Sequence, residues 1–525
     1  MEKRTLLAFI LCLGILYLWQ SAIRPPHKEK EKTETVKKQE VVSKIEETIN
    51  PPSEEAFKGE DVEFRHPLFT AVFSTKGASL KSFSLVKYNV GSRKNPLPIN
   101  LIAEEQGISM PLSLYSTDPD WQKLPVLPFK VVKNENNILE FIFEDSKKTI
   151  IKRFLFTKER YEFEIETVIK TKSKNSPSNI GLILSDVTTS GQKPSMFNPG
   201  AQENMMVTYS SGKAERIPAK DLSAPIVQKK LYGWIAFDSK YFLTAIIPES
   251  DNEPVEIRGM IAGEKLAILS YLQAFPEKNA EIVLKAKAYF GPKLLKQLEI
   301  AGHDLNKAID LGWFGIFAIP LLKLLNLFYR YFHNYGIAII LLTILIKLLF
   351  YPLSQKSLKS MREMQRIQPQ IQAIKDQHKE DKERLNKEMI NLMKTNNVSP
   401  MGGCLPLLFQ MPIFFALYRV LYSSVELFHA PFFGWIHDLS SKDPYFITPI
   451  AMGLLMVVQQ KMTPSTMDPI QKKMMVMMPI VFTFLMLFLP AGLNLYMLVN
   501  SILTILQQYL FNKTDSISRK VNIRT

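Results

Sequence analysis

Cysteine is nearly absent from this chain of 525 residues, which has two cysteines and seven scattered histidines. Cys12 and Cys404 lie in or beside apolar runs and far apart in sequence, which argues against a disulfide framework. No Cys/His spacing typical of a metal site occurs. We therefore expect neither a bound metal nor a cofactor.

Acidic residues are missing from the long apolar runs that fill the second half of the chain. Such runs are longer than a soluble core needs and predict a polytopic α-helical membrane protein. The first run follows Lys3 and Arg4 and lacks a small-residue cleavage site, which favours an uncleaved signal anchor. The six predicted transmembrane spans are 1–23, 336–355, 403–424, 445–462, 474–489 and 492–511.

Lysine and arginine are distributed unevenly between the spans, which sets the predicted orientation. They are frequent in 356–398, in the loop 463–473 and in the basic tail 512–525, and scarce in the loop 425–444. We therefore expect both termini in the cytoplasm and residues 24–335 outside it. Residues 24–56, with alternating Lys and Glu, read as a disordered charged linker.

Residues 57–300 have the period-2 pattern of an all-β domain. In the stretch "RYEFEIETVIK", Tyr161, Phe163 and Ile165 alternate with glutamates, and many short strands of this kind suggest a sandwich. The domain has one histidine, His66, and no nucleophile elbow or phosphate loop, so we expect no enzyme. Residues 301–335 form a linker and an amphipathic helix, predicted to lie on the outer leaflet or to pack on the bundle.

The segment 356–398 predicts a cytoplasmic helical hairpin. Met364, Ile367, Ile371 and Ile374 form one apolar stripe, and Leu385, Met389 and Leu392 form another. Two helices folding together on these stripes would give a short antiparallel coiled coil. The basic residues proposed to dock a soluble partner are Lys375, Lys379, Lys382, Arg384, Lys472 and Lys473.

Lys347 stands in an apolar run with no acid in the spans to neutralise it. A lysine at mid-bilayer costs about 2.5–3.5 kcal/mol, and snorkelling to the cytoplasmic headgroups is one explanation. Uncharged polar residues recur in the other spans, which favours a wet cavity open to the cytoplasm. The cavity is expected to include Lys347, Thr343, Gln410, Asn494, Tyr496, Asn500 and Gln507. An alternative reading is a transporter or channel for small anions.

The stretches "SPMGGCLPLLFQMPIFFALY" (399–418) and "QQKMTPSTMDPIQKKMMVMMPIVFTFLMLFLPAGLNLYMLVNSILTILQQ" (459–508) resemble the YidC/Oxa family of membrane protein insertases. "TKGASLKSFSLVKY" (75–88) more weakly resembles the large periplasmic domain of its Gram-negative members. The resemblance implies a periplasmic β-supersandwich like the sugar-mutarotase fold. It also implies five core helices around a hydrophilic groove that is open to the cytoplasm and to lipid but closed on the outer side. Lys347 stands where most members have arginine, and Met497 where many have a second tyrosine.

The implied function is insertion and folding of inner-membrane proteins, without a cofactor. Expected partners are nascent membrane proteins and lipid, with ribosomes and targeting factors at the cytoplasmic face, where the basic segments would contact ribosomal RNA phosphates. Contact with the Sec translocon is implied by the resemblance alone, and no DNA partner is expected. The expected location is the bacterial inner membrane.

Overall fold

The computed structural model describes residues 58–522 except for short internal segments. The excepted segments are 91–95, 103–109, 172–175, 188–203, 223–225, 250–253, 263–265, 276–280, 379–380, 397–404 and 463–468. The predicted signal anchor (1–23) and charged linker (24–56) therefore lie outside the described residues. The described residues all belong to one compact unit, Glu55–Thr525.

Residues 61–292, here called the β domain, fold into strands that pair antiparallel throughout their described length. The strands are β1 Asp61–Arg65, β2 Phe69–Ser74, β3 Ser79–Val90, β4 Leu97–Asn100, β5 Leu114–Tyr115, β6 Lys130–Glu135, β7 Ile138–Glu144, β8 Lys148–Phe156, β9 Glu162–Thr171, β10 Asn179–Val187, β11 Met205–Ser210, β12 Lys213–Pro218, β13 Ile226–Lys230, β14 Trp234–Asp238, β15 Phe242–Pro248, β16 Val255–Ala262, β17 Leu266–Ala274 and β18 Glu281–Pro292. Within the described part they form sheets in the orders β1-β2-β3-β4, β13-β16-β17-β10-β5 and β12-β11-β14-β15-β18-β9-β8-β7-β6.

The sheets share one apolar core, which explains why their strands alternate. Tyr161, Phe163 and Ile165 are all buried, and on the opposite face Glu164 is exposed and Glu166 half-buried, as the alternation predicts, whereas Glu162 is buried. Phe83 of the four-stranded sheet meets Phe290 of the nine-stranded sheet edge to face, with ring centroids 5.5 Å apart. Residues on the inward faces thus join the sheets into a layered β structure.

The chain after the β domain is helical in its regular structure. The helices are α1 Leu295–Ala301, α2 Gly315–Phe332, α3 Tyr335–Leu349, α4 Tyr351–Gln377, α5 Lys382–Thr395, α6 Leu405–Ser423, α7 Ile447–Met462, α8 Pro469–Met486 and α9 Ala491–Asn522. The sequence predicted one span over 336–355, but the helix breaks at Phe350 and α4 leaves α3 at an angle of 61°. Lys472 and Lys473, predicted in a loop, lie near the start of α8, whose first residue is a proline, as helix starts favour.

One helix in the described part of the chain, α2, is long and apolar enough by itself to cross a bilayer, and the bent pair α3–α4 would be a second. Two of the other predicted core spans fall on helices that are shorter or carry polar residues. α7 has 16 residues, and α9 carries amides through its apolar half. The predicted number of six spans therefore stays a prediction.

The helix α2, which the sequence assigned to the amphipathic segment, has two unlike faces. Ala318 and Leu325 are fully buried against α3 and α6, whereas Ile316 and Tyr331 remain more than 70% exposed. One face therefore packs on the bundle, and the other presents apolar side chains to the surroundings.

The helices α4 and α5 pack against each other along the predicted stripes. Ile367 and Ile371 are buried, and Met364, Met389 and Leu392 pack on them. Asp381 begins α5 by accepting hydrogen bonds from two backbone N–H groups of its first turn. α4 continues through Pro369 to Gln377.

The β domain rests on the loop between α6 and α7 through an aromatic cluster. The ring of Phe428 lies 4.9 Å from that of Tyr241 and 6.0 Å from that of Phe242. The ammonium of Lys240 lies 4.2 Å from the ring centre of Tyr422, near the end of α6, as in a cation–π contact. These contacts fix where the bundle meets the β domain.

Candidate functional site

A stripe of polar side chains follows one face of α9. Tyr496, Asn500, Thr504 and Gln507 are spaced by four, four and three residues, which places them on one side of a helix. α9 packs closely against α7 and α3 and less closely against α6. The stripe therefore lies inside the bundle, between helices that the sequence analysis assigned to the groove.

Lys347 of α3 is held against this stripe. Its ammonium donates a hydrogen bond of 2.8 Å to Oγ1 of Thr504, which in turn donates to the backbone carbonyl of Asn500 at 2.7 Å. From α6, Nε2 of Gln410 donates to Oδ1 of Asn500 at 3.2 Å, and the Gln410 side chain also contacts the hydroxyl of Tyr496. The helices α3, α6 and α9 thus contribute to one group of contacting polar side chains. This group, called the polar cluster below, consists of Lys347, Gln410, Tyr496, Asn500 and Thr504.

The polar cluster carries one positive charge and no negative one. The sequences of α3, α6, α7 and α8 contain neither Asp nor Glu, and α9 has none before Asp515. The hydroxyl of Thr504 can accept a hydrogen bond from Lys347 but cannot neutralise its charge. An unpaired charge in an apolar surrounding is costly. Water or the anionic group of a bound molecule would therefore stabilise the half-buried ammonium.

The remaining predicted groove residues lie outside the polar cluster or at its edge. Thr343 is buried, and its hydroxyl donates to the carbonyl of Ile339 one turn back. Asn494 is fully buried, and its amide donates to the carbonyls of Met486 and Leu489, which caps the end of α8. Nε2 of Gln507 is buried with no hydrogen-bond partner among the described residues.

Thr504, the direct partner of Lys347, was not among the predicted site residues. Its signal in the sequence is its spacing, because Thr504 follows Asn500 by four residues and so shares its helix face. Spacing alone could not select Thr504, since Gln508 likewise follows Thr504 by four residues. Gln508 instead donates to the carbonyl of Met462 and joins α9 to the end of α7.

The basic residues predicted to dock a partner are only partly described. Lys375 lies half-buried near the end of α4, and Arg384 on α5 has its guanidinium 3.8 Å from Glu388. Lys379 lies outside the described residues. Lys382, Lys472 and Lys473 lie in helices, but the positions of their side chains are not described. The docking surface therefore stays a prediction.

One helix of the bundle, α8, packs on α7 and has an exposed apolar face. α6 makes no extensive contact with α7 or α8 in the described residues. On α8, Met477, Ile480 and Val481 are each more than half exposed. No group of three or more residues suited to hold a metal ion occurs among the described residues.

Comparison with known proteins matches both halves of the chain. The family model described as the YidC periplasmic domain matches residues 61–324, and that described as 60Kd inner membrane protein matches residues 327–519. The β domain and the helical region thus correspond to two parts of one known architecture.

Curated relatives match over nearly the whole chain. "Membrane protein insertase YidC" of Geobacter metallireducens is 37% identical over 540 residues, covering 98% of this chain and 99% of the relative. The protein of the same name from Geotalea uraniireducens is 38% identical over 548 residues, with the same coverage. Among solved structures, "Active YidC insertase crystal structure with the first transmembrane domain resolved" is 16% identical, with a TM-score of 0.36, covering 90% of this chain and 96% of that one. The chain belongs to the YidC family of membrane protein insertases.

Proposed function

We propose that this protein inserts membrane proteins by admitting the polar end of a client segment to the polar cluster while its apolar part enters lipid. The observation that carries the proposal is the ammonium of Lys347, hydrogen-bonded to Thr504 inside a bundle whose core helices offer no carboxylate. A carboxylate held permanently beside this ammonium would neutralise it and give it a structural role. Without such a carboxylate, the ammonium can attract an anionic group of a client.

The polar cluster shortens the apolar distance that a polar chain end must cross. Along α9, Tyr496 and Gln507 are eleven residues apart, or about 16 Å at ~1.5 Å per residue. The hydrocarbon core of a bilayer is about 30 Å thick. Roughly half of the barrier is therefore lined by hydrogen-bonding groups.

Burial of the client's apolar segment in lipid drives the step, at about 0.8 kcal/mol for each buried methylene. No cofactor takes part. The client's apolar segment slides along α3 and α7, where Leu348 and Leu454 are about two-thirds exposed. The polar end then needs only transient hydrogen bonds and the attraction of Lys347.

The proposed topology has six spans, with both termini in the cytoplasm and the β domain in the periplasm. The first span and the charged linker belong to residues outside the described part. The α4–α5 hairpin would receive the ribosome or targeting factors, with Lys375, Lys379, Lys382 and Arg384 facing them. Lys472 and Lys473 would contact ribosomal RNA phosphates. The protein acts alone or beside the Sec translocon.

Site-specific photo-crosslinking to a stalled nascent membrane protein tests the proposal. A photoreactive residue at position 347 or 410 should capture the nascent chain near its polar end. The same residue in place of Leu327, which is exposed on α2, should capture lipid. Equal capture of the chain at all three positions would contradict the assignment of the groove.

Flux measurements test the anion-transport alternative, which also uses a lone fixed cation. Proteoliposomes without client should not move radiolabelled chloride or organic anions faster than empty liposomes. Flux that depends on Lys347 would replace insertion by transport as the function of the polar cluster.

A further inference from the structure

Five elements of the chain meet near the carboxyl group of Glu426, at the start of the loop between α6 and α7. Nδ2 of Asn326 in α2 donates a long hydrogen bond of 3.5 Å to its Oε1, and the backbone N–H of Leu295, the first residue of α1, also faces it. The phenol groups of Tyr88 in β3 and Tyr335 in α3 complete the surroundings. This half-buried side chain thus lies between the β domain and the first helices of the bundle.

Asn326 extends this contact to the corner between α2 and α3. Its Oδ1 accepts a hydrogen bond of 3.3 Å from the hydroxyl of Tyr335, whose ring stacks on that of Tyr329 with centroids 3.8 Å apart and planes within 6°. We call Glu426, Asn326 and Tyr335 the carboxyl relay. Lys347 follows Tyr335 by twelve residues on the same helix, about 18 Å at ~1.5 Å per residue. The relay therefore bears on the position of the ammonium.

The carboxyl group of Glu426 has no compensating charge, since no lysine, arginine or histidine among the described residues acts on it. α1 and α2 contribute a backbone N–H and an amide, and β3 and α3 contribute phenols, which ionise only near pH ~10 or above. Burial raises the pKa of Glu426 above its ordinary value, and the hydrogen bonds from its own N–H, Asn326 and Leu295 offset this only in part. Glu426 is therefore the group of the relay that changes charge in acid.

The carboxyl relay stays complete when Glu426 takes up a proton. A protonated carboxyl group is an O–H donor, and a half-turn of the Asn326 amide would bring its Oδ1 to that donor and its Nδ2 to the hydroxyl oxygen of Tyr335. Both states therefore keep two hydrogen bonds, but the protonated state has no buried charge to compensate. Stability of the assembled relay is thus full below the ordinary pKa of glutamate, ~4.3, and falls as the pH rises through the raised value.

We infer that Glu426 is a positioning residue for insertion, which holds the corner between α2 and α3 against the β domain more firmly when it is protonated. The predicted topology places Glu426 outside the cytoplasm, where the proton concentration follows that of the surroundings. The helix that carries Lys347 would then respond at its start to acid on the outer side of the membrane. This inference rests on the proposed function.

Distances between paired spin labels test the inference in the full chain reconstituted in lipid nanodiscs. The labels are attached to Lys87→Cys on β3 and Tyr331→Cys on α2, both exposed, in a background carrying Cys12→Ser and Cys404→Ser. With Glu426 unchanged, the distance distribution should be narrow at pH 5 and broader at pH 8. Glu426→Gln, which imitates the protonated side chain, should give the narrow distribution at both pH values.

Glu299→Gln is the matched control for this measurement. Glu299 of α1 forms an exposed ion pair of 3.3 Å with Lys323 of α2, so its loss should leave the pH dependence as it is in the unchanged protein. The inference is wrong if the width of the distribution does not depend on pH, or if Glu426→Gln is as broad as Glu426→Ala. A pH dependence that persists in Glu426→Gln belongs to another group and equally overturns the role of Glu426.

Insertion of a client with a neutral end by the same variants connects the carboxyl relay to the activity. Glu426→Gln should stay within about twofold of the unchanged protein at pH 5 and insert faster than it at pH 8, whereas Glu426→Ala should be slower at both. Equal rates for Glu426→Gln and Glu426→Ala would show that the relay does not position the site of insertion. The spin-label distances do not require insertion, so failure of the unchanged protein to insert would concern the proposed function alone.

Discussion

Replacing Lys347 should impair insertion in proportion to the negative charge on the client's translocated end. Lys347→Met removes the ammonium that donates to Thr504 but keeps much of the volume of the side chain. Because the cluster has no other charge, this substitution changes the electrostatics of the groove and little else. Clients with neutral ends should therefore insert almost normally.

The size of the effect follows from Coulomb's law. A client carboxylate about 6 Å from the ammonium gains about 3 kcal/mol at an effective dielectric constant of ~20, and below 1 kcal/mol in bulk water. Lys347 is half-buried, which places the groove between these limits. At about 1.4 kcal/mol per factor of ten, we expect Lys347→Met to slow clients with one acidic residue by roughly tenfold. Lys347→Glu, which adds repulsion, should slow them more.

The assay is the insertion rate of a matched pair of clients that differ only in whether the translocated end carries Asp or Asn. Proteoliposomes containing the unchanged protein, Lys347→Met or Lys347→Arg are compared by protection of the translocated end from protease. Lys347→Arg keeps the charge and should retain the preference. Thr504→Val removes the hydrogen-bond partner while leaving the charge, and should weaken the preference less than Lys347→Met does.

Equal rates of the Asp and Asn clients in the unchanged protein would refute the reasoning. An equal loss of insertion rate for both clients in Lys347→Met would also refute it. That pattern would indicate that Lys347 supports the structure of the bundle and does not act through its charge.

Three further predictions concern stability and partner docking. Burial lowers the pKa of Lys152 to about 7, against ~10.4 in the unfolded chain, so the folded state binds fewer protons between these values. Stability of the β domain should rise from pH 7 to pH 10, and Lys152→Met should reduce the rise in thermal unfolding followed by tryptophan fluorescence. Lys240, whose pKa burial lowers to about 8, accounts for a further part of the rise. Gly336→Ala, which places a methyl group against the ring of Phe432, should lower the melting temperature of the purified protein, and Gly315→Ala should not. Ile371→Asp should separate α4 from α5, which cysteine cross-linking between the helices would detect, and should reduce binding of ribosomes in sedimentation.

The alternating strands were predictable because burial of one sheet face imposes a period of two residues on the sequence. The stripes of α4 and α5 followed in the same way from helical spacing, with Ile367, Ile371 and Met389 in contact as expected. The break at Phe350 has one signal in the sequence, Pro352 in the first turn of α4, but the apolar run continues across the break without glycine. Pairing of distant strands, such as β5 with β10, depends on tertiary contacts that no local pattern records.

The polar cluster was predictable as a set of residue types and not as a set of contacts. A lysine without an acid in an apolar run identified Lys347, and the recurrence of uncharged polar residues in the other spans identified Asn500 and Gln410. Which polar residues meet depends on how the helices rotate and cross, and this separated Asn494, a cap for α8, from the residues around Lys347. The hydrogen bonds that Asp438 and Asp443 accept in the loop between α6 and α7 were not predictable, because both look like ordinary polar residues of a loop in the sequence.

The break at Phe350 connects the α4–α5 hairpin directly to α3, the helix that carries Lys347. Lys347 lies one turn before the break, and α4 departs from it at 61° as a helix of 27 residues, about 40 Å long at ~1.5 Å per residue. A ribosome or targeting factor that pulls on the far end of this helix would apply torque next to the ammonium. Arrival of a client at the surface could thereby change the orientation of the charge that receives it.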